Sequence, residues 1–153
     1  MADTAGKAVT FHVRRFEPGT DREPRWEDHR IEVLPGMTVL DGLWKVKEQS
    51  APSLAWRSSC RRGICGSCGM LINGRPRLAC NTQIGELNSD VVAVAPLPNF
   101  DIVKDLVPNL APMFETHREL LPDLVRDDVA EQDDPTREYW QSPHELEQYL
   151  QFR

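Results

Sequence analysis

CRRGICGSCGMLINGRPRLAC, residues 60–80, holds all four cysteines of a 153-residue chain. Cys60, Cys65, Cys68 and Cys80 stand in the spacing C-x4-C-x2-C-x11-C, with three thiols inside nine residues. Structural zinc sites usually come as two separated C-x2-C pairs, each on its own turn. A [2Fe–2S] cluster held by four thiolates uses a C-x4-C-x2-C run with a distant fourth cysteine. Gly63, Gly66 and Gly69 leave room for backbone N–H groups to approach sulfur without side-chain obstruction and tolerate positive φ. Asn73-Gly74, between two short apolar arms, is a tight hairpin signal, because both residues accept positive φ. That hairpin explains the eleven-residue gap: its arms carry the chain out and back, returning Cys80 beside Cys68. The spacing therefore predicts a [2Fe–2S] cluster on the four cysteines, with zinc and a disulfide or redox thiol as the alternatives.

Outward from the cysteines, no acidic residue occurs between Glu48 and Glu86, whereas Arg57, Arg61, Arg62, Arg75 and Arg77 all do. Positive charge beside a cluster stabilises its reduced form and steers docking onto an acidic face. For any single arginine the plainer account is a solvated surface charge. The net charge of −6 conceals an asymmetry: residues 1–98 carry 13 Lys+Arg against 11 Asp+Glu, residues 99–153 carry 5 against 13. That acidic second half argues against general nucleic-acid binding.

Upstream, residues 8–16 alternate apolar Val9, Phe11 and Val13 with polar neighbours, the period of a strand. Trp26 and the alternating residues 29–33 form a second strand, so a hairpin is expected. Pro35-Gly36 ends it, and Thr38 is a plausible N-cap for a helix to about Gln49. Val39, Leu40, Leu43, Trp44 and Val46 are placed on that helix's buried side. Downstream, residues 91–95, VVAVA, form a last buried strand. Two strands and then a helix open a β-grasp arrangement, so the fold class is α+β. The ferredoxin-like domain is placed at 7–98 and a helical, proline-punctuated extension at 99–153. Within the extension, Ile102, Val103, Leu106 and Val107 suit a short helix, Met113 to Leu121 suit another, and residues 128–134, DVAEQDD, suit a solvated loop. Ser142-Pro143-His144-Glu145 combines an N-cap, proline at N1 and glutamate at N3, a helix start.

The remaining chemistry-bearing residues show no pattern of their own. His12, His29, His117 and His144 share no ligand spacing and are read as structural or surface groups. Trp26, Trp44, Trp56 and Trp140 are read as core or interface anchors. No G-x-G-x-x-G or P-loop occurs, so a nucleotide cofactor belongs on another chain. No run of about 18 apolar residues marks a membrane span. The opening residues MADTAGKAVT lack the apolar core of a secretory signal, which predicts a cytoplasmic protein.

With these residues in view, SSCRRGICGSCGMLINGRPRLAC resembles the cluster-binding segment of the iron–sulfur subunit of succinate dehydrogenase and fumarate reductase. The resemblance continues through LPNFDIVKDLV at 97–107 and QSPHELEQYL at 141–150, and so covers nearly the whole chain from about residue 7. It implies a β-grasp domain that relays electrons between an FAD-bearing flavoprotein subunit and further clusters, with Cys60, Cys65, Cys68 and Cys80 as ligands. It also implies a complex peripheral on the cytoplasmic face of the inner membrane, with membrane-anchor subunits as further partners. The family continues into a helical domain with C-x2-C-x2-C-x3-C-P, whereas this chain has no cysteine after Cys80. The resemblance therefore predicts that these residues are the front portion of a longer subunit. It does not extend to electron delivery to quinone by this chain.

Overall fold

The computed structural model describes residues 6–120, 136 and 142–151. Two compact units divide the chain, Met1–Phe114 and Glu115–Arg153. In the first, β1 (Lys7–Arg15) and β2 (Arg25–Val33) form an antiparallel hairpin, with Phe11 opposite His29 and Val13 opposite Glu27. Helix α1 (Val39–Gln49) follows, then β3 (Gly69–Ile72), β4 (Arg75–Leu78), two short 3-10 turns (Ala79–Asn81 and Ile84–Leu87) and β5 (Val91–Ala95). The five strands lie in one sheet in the order β2-β1-β5-β3-β4, with β1 and β5 parallel and the other neighbours antiparallel. This is a mixed α+β sheet with one helix laid on it, the β-grasp arrangement that the sequence predicts.

The period-2 pattern of β1 sends Val9, Phe11 and Val13 to one face, and all three are buried. Ile31 and Val33 of β2, Met70 and Ile72 of β3, and Val92 and Val94 of β5 join them on that face. Helix α1 covers it with Val39, Leu40, Leu43 and Val46. Its close approach depends on Gly42, where a Cβ would stand 2.2 Å from Phe11 Cζ. Thr38 caps the helix reciprocally: its Oγ1 accepts from Asp41 N at 3.3 Å, and its own N–H donates to Asp41 Oδ2 at 2.9 Å. The β5 strand is buried on one face only, and Val91 is exposed on the other.

Two placements correct the sequence-based expectations. Residues 102–107 are not helical; Ile102–Lys104 (β6) and Val107–Pro108 (β7) form a small antiparallel hairpin. Asp105 makes the turn at φ +47°, which a helix does not permit. Its buried carboxylate accepts from Arg15 Nε at 2.8 Å, Phe16 N at 3.1 Å and Ala55 N at 2.9 Å, while Leu106 enters the core. These long-range bonds outweigh a helical apolar spacing that six residues support only weakly. Trp44 is the second correction, since it stands 37% exposed instead of on the buried side of α1. Beyond the hairpin, α2 (Ala111–Glu119) and α3 (Pro143–Gln151) are short helices. Ser142 caps α3 as expected, with Ser142 N donating to Glu145 Oε2 at 2.7 Å and Glu145 N to Ser142 Oγ at 3.2 Å. The acidic run at 128–134, Leu121 and Trp140 lie outside the described residues.

Candidate metal centre

The β3–β4 hairpin turns at Asn73 (φ 48°) and Gly74 (φ 76°), so Gly69 pairs with Leu78. Cys68 and Cys80, just beyond that pair, are thereby brought together: Ala79 N donates to Cys68 O at 3.1 Å and Cys80 N to Cys68 Sγ at 3.5 Å. Residues 60–66 wrap the other side of the site in a loop with three positive φ values, Arg61 at 55°, Gly63 at 72° and Gly66 at 74°. That backbone turns successive N–H groups toward sulfur. Arg62 N reaches Cys60 Sγ at 3.4 Å, Gly63 N reaches Cys80 Sγ at 3.3 Å, and Cys65 N reaches Cys60 Sγ at 3.3 Å. Gly69 has a different role from the other two glycines: its N–H donates to Gly66 O at 2.9 Å, and a Cβ there would lie 3.1 Å from that oxygen.

All four thiols are free, with Cys65 exposed, Cys60 and Cys80 half-buried and Cys68 buried. A hydrogen bond from the Ser67 side chain lowers the Cys65 thiol from 9.0 to about 6, helped by the Cys60 and Ser67 backbone and the Cys60 side chain. Burial raises the Cys68 thiol, with the neighbouring Cys80 thiol adding to the rise. Side-chain interactions thus join Cys60 to Cys65 and Cys68 to Cys80. Among the described residues, no three His, Cys, Asp or Glu side chains converge on the position of a single ion. Two separate thiol pairs suit a [2Fe–2S] cluster, whose two irons each take two of the four thiolates, better than one tetrahedral zinc. The N–H donors fit the same group, since charge-assisted donors stabilise bridging and terminal sulfur that carries negative charge.

The five arginines of the basic stretch are all exposed, and none joins an ion pair among the described residues. They do not form one patch around one hollow. Arg57 borders a cleft with Trp44, Lys47, Trp56 and Ser67, at the edge of the cysteine loop. Arg75 and Arg77 project from β4 and border a different hollow with Asn73 and Glu86. Arg61 lies over the Trp44 ring, 5.7 Å from its centroid. Two residues at the site carry no signal in the sequence spacing: Ser67, which bonds Cys65, and Asn81, whose side chain would lie 3.4 Å from a Cβ at Gly63.

Residues 10–115 match the family model described as a 2Fe-2S iron-sulfur cluster binding domain. The chain is 38% identical to the succinate dehydrogenase iron-sulfur subunit of Coxiella burnetii over 139 residues, which cover 90% of this chain and 57% of that protein. It is 36% identical to the fumarate reductase iron-sulfur subunit of Mycobacterium tuberculosis over 144 residues, covering 94% of this chain and 58% of that protein. Among solved structures, a chain of the Mycobacterium smegmatis Sdh1 complex in the apo form superposes with a TM-score of 0.77 at 33% identity. That superposition covers 97% of this chain and 59% of that one. The chain therefore spans somewhat over half the length of the relatives it matches. The matched segment holds all four cysteines, the loop that aims N–H groups at them and the sheet that supports both. This chain belongs to the family of 2Fe-2S iron-sulfur cluster binding domains.

Proposed function

We propose that this chain relays single electrons as the iron–sulfur subunit of a succinate dehydrogenase or fumarate reductase complex, exchanging them with an FAD-bearing flavoprotein subunit. Cys60, Cys65, Cys68 and Cys80 are the proposed ligands of its [2Fe–2S] cluster. The observation that carries this reading is the convergence of backbone N–H donors from Arg62, Gly63, Cys65 and Cys80 on three of the four sulfurs. The bound cluster supplies a site that gains or loses one electron with little change in geometry.

The protein's part is to hold the thiolates and to set the cost of the added charge. Fixed N–H dipoles and nearby guanidinium groups favour the more negative, reduced form and so raise the potential. The exposed Cys65 is the proposed point from which electrons enter or leave. Exposed Arg57, which shares a cleft with Ser67, and exposed Arg62 of the cysteine loop favour an acidic partner face. Relatives named as subunits of the two enzymes support the assignment to such a complex. Membrane-anchor subunits and a place on the cytoplasmic face of the inner membrane are part of the same proposal. Among the described residues no helix is long and apolar enough to cross a membrane.

The test is to express the chain with its native neighbours and isolate it by an affinity tag. The expected result is co-isolation of a flavin-bearing subunit, with a reduced-state EPR signal of a [2Fe–2S] cluster that succinate or a low-potential donor elicits through that subunit. A cluster reducible only by unrelated flavoenzymes, with no flavoprotein retained, would replace this reading with a stand-alone ferredoxin.

A further inference from the structure

Arg61 follows the first cysteine and sits at φ 55°, in the left-handed region that a residue with a Cβ seldom occupies. The next two N–H groups, of Arg62 and Gly63, are the ones that this turn sends to Cys60 Sγ and Cys80 Sγ. Glycine would take this conformation without strain, so with arginine present some contact outside the loop must hold it. The guanidinium carbon of Arg61 lies 5.7 Å from the centroid of Trp44, inside the range of a cation–π contact. Asp41 and Glu48 border the same hollow, but neither forms an ion pair with Arg61 among the described residues, and Asp41 Oδ2 accepts from the N–H and hydroxyl of Thr38. The Trp44 ring is the contact that the Arg61 guanidinium makes.

Trp44 is a firm anchor. It rides on α1, which Leu40, Leu43 and Val46 lock into the core. Trp56 packs edge-on against it, with centroids 5.0 Å apart and planes at 82°. Lys47 in turn lies 5.1 Å over Trp56 and donates to Leu54 O at 2.9 Å. The segment entering the cysteine loop and the first residue inside it are thus both fastened to one helix, through two edge-packed rings and two cations. This arrangement accounts for the exposure of a large aromatic that helical periodicity assigns to the core.

We propose that Trp44 is a positioning residue for the cluster: through Arg61 it holds the left-handed turn that aims the Arg62 and Gly63 N–H groups at sulfur. The inference rests on the ligand set proposed above. The experiment uses the full chain carrying its reconstituted cluster and reads two quantities, the midpoint potential and the rate of bleaching by an iron chelator. Trp44→Leu keeps apolar bulk at a half-exposed position but removes the π face, so it should fold. It should bleach roughly two- to fivefold faster, the scale of one exposed cation–π contact, and shift the potential downward as the N–H donors lose alignment. Trp44→Phe should restore both values most of the way. Arg61→Gly takes the left-handed turn unaided, so adding Trp44→Leu to it should change neither reading further.

Trp44→Leu matching the wild type in both readings, or acting with the same size in the Arg61→Gly background, overturns the inference alone. A wild-type chain with no [2Fe–2S] EPR signal after reduction overturns the ligand set and this inference with it.

Discussion

Cys65 and Cys68 are three positions apart in sequence and opposite in environment. Cys65 is exposed and its thiol lies at about 6, chiefly through the Ser67 side chain, whereas burial pushes the Cys68 thiol upward. A lowered thiol pKa means that the reactive thiolate prevails above that value, and a raised one means that the thiol persists. In the chain stripped of iron, iodoacetamide should therefore label Cys65 well before Cys68 at neutral pH, with labelling of Cys65 half-maximal near pH 6. Peptide mapping of a timed reaction checks this, and equal rates at the two sites would contradict it. In the loaded chain, Cys65→Ser places a hard alkoxide where iron prefers a soft thiolate. The expected outcome is loss or a strong shift of the visible and EPR spectra, and an unchanged pair of spectra would remove Cys65 from the ligand set. The convergence of Cys68 and Cys80 is legible from their spacing about the hairpin. The influence of Ser67 is not, because a serine between two cysteines has no fixed rotamer until the loop is folded.

At the level of elements, α1 and the β6–β7 hairpin show how local and distant bonds divide the work. Thr38 and Asp41 form a capping box three residues apart, and sequence alone locates the cap. Thr38→Ala removes one acceptor from the first turn and should cost about 1 kcal/mol, read as a lowered denaturant midpoint with an unchanged slope. The hairpin depends instead on Asp105, which is 1% exposed and bonded to Arg15 across 90 positions and to Ala55 across 50. Arg15 is itself completed by Glu27 at 2.8 Å and Ser53 at 2.9 Å. Asp105→Ala leaves that buried guanidinium partly uncompensated and should cost roughly 3–5 kcal/mol. Asp105→Asn should cost less, since asparagine also tolerates positive φ and keeps an acceptor oxygen. Chemical denaturation of the two variants ranks them, and an asparagine variant as unstable as the alanine one would mean that charge, not the turn, dominates.

Across the whole molecule, charge is unevenly spread: the stretch between Glu48 and Glu86 is purely basic, while residues 99–153 carry 5 Lys+Arg against 13 Asp+Glu. Exposed charge acts over about 8–10 Å at ordinary salt, so it governs the rate of encounter more than the strength of the final contact. Replacing Arg57 and Arg62 by glutamine should slow association with the proposed flavoprotein partner several-fold at low salt and little at high salt, as stopped-flow mixing would show. A loss independent of salt would point to direct contacts instead. The clustering of the cysteines, the hairpin between Cys68 and Cys80, the capped helices and the alternating strands were all decided by sequence alone. Each depends on residues within about a dozen positions of one another, where spacing and turn chemistry leave few arrangements open. Tertiary structure decided that 102–107 is a hairpin, that Trp44 faces outward onto Arg61, and that Arg57, Arg61 and the pair Arg75 and Arg77 border three different hollows. Those outcomes depend on partners brought together only by the closed sheet, and a short apolar spacing fits helix and strand about equally until such partners are in place.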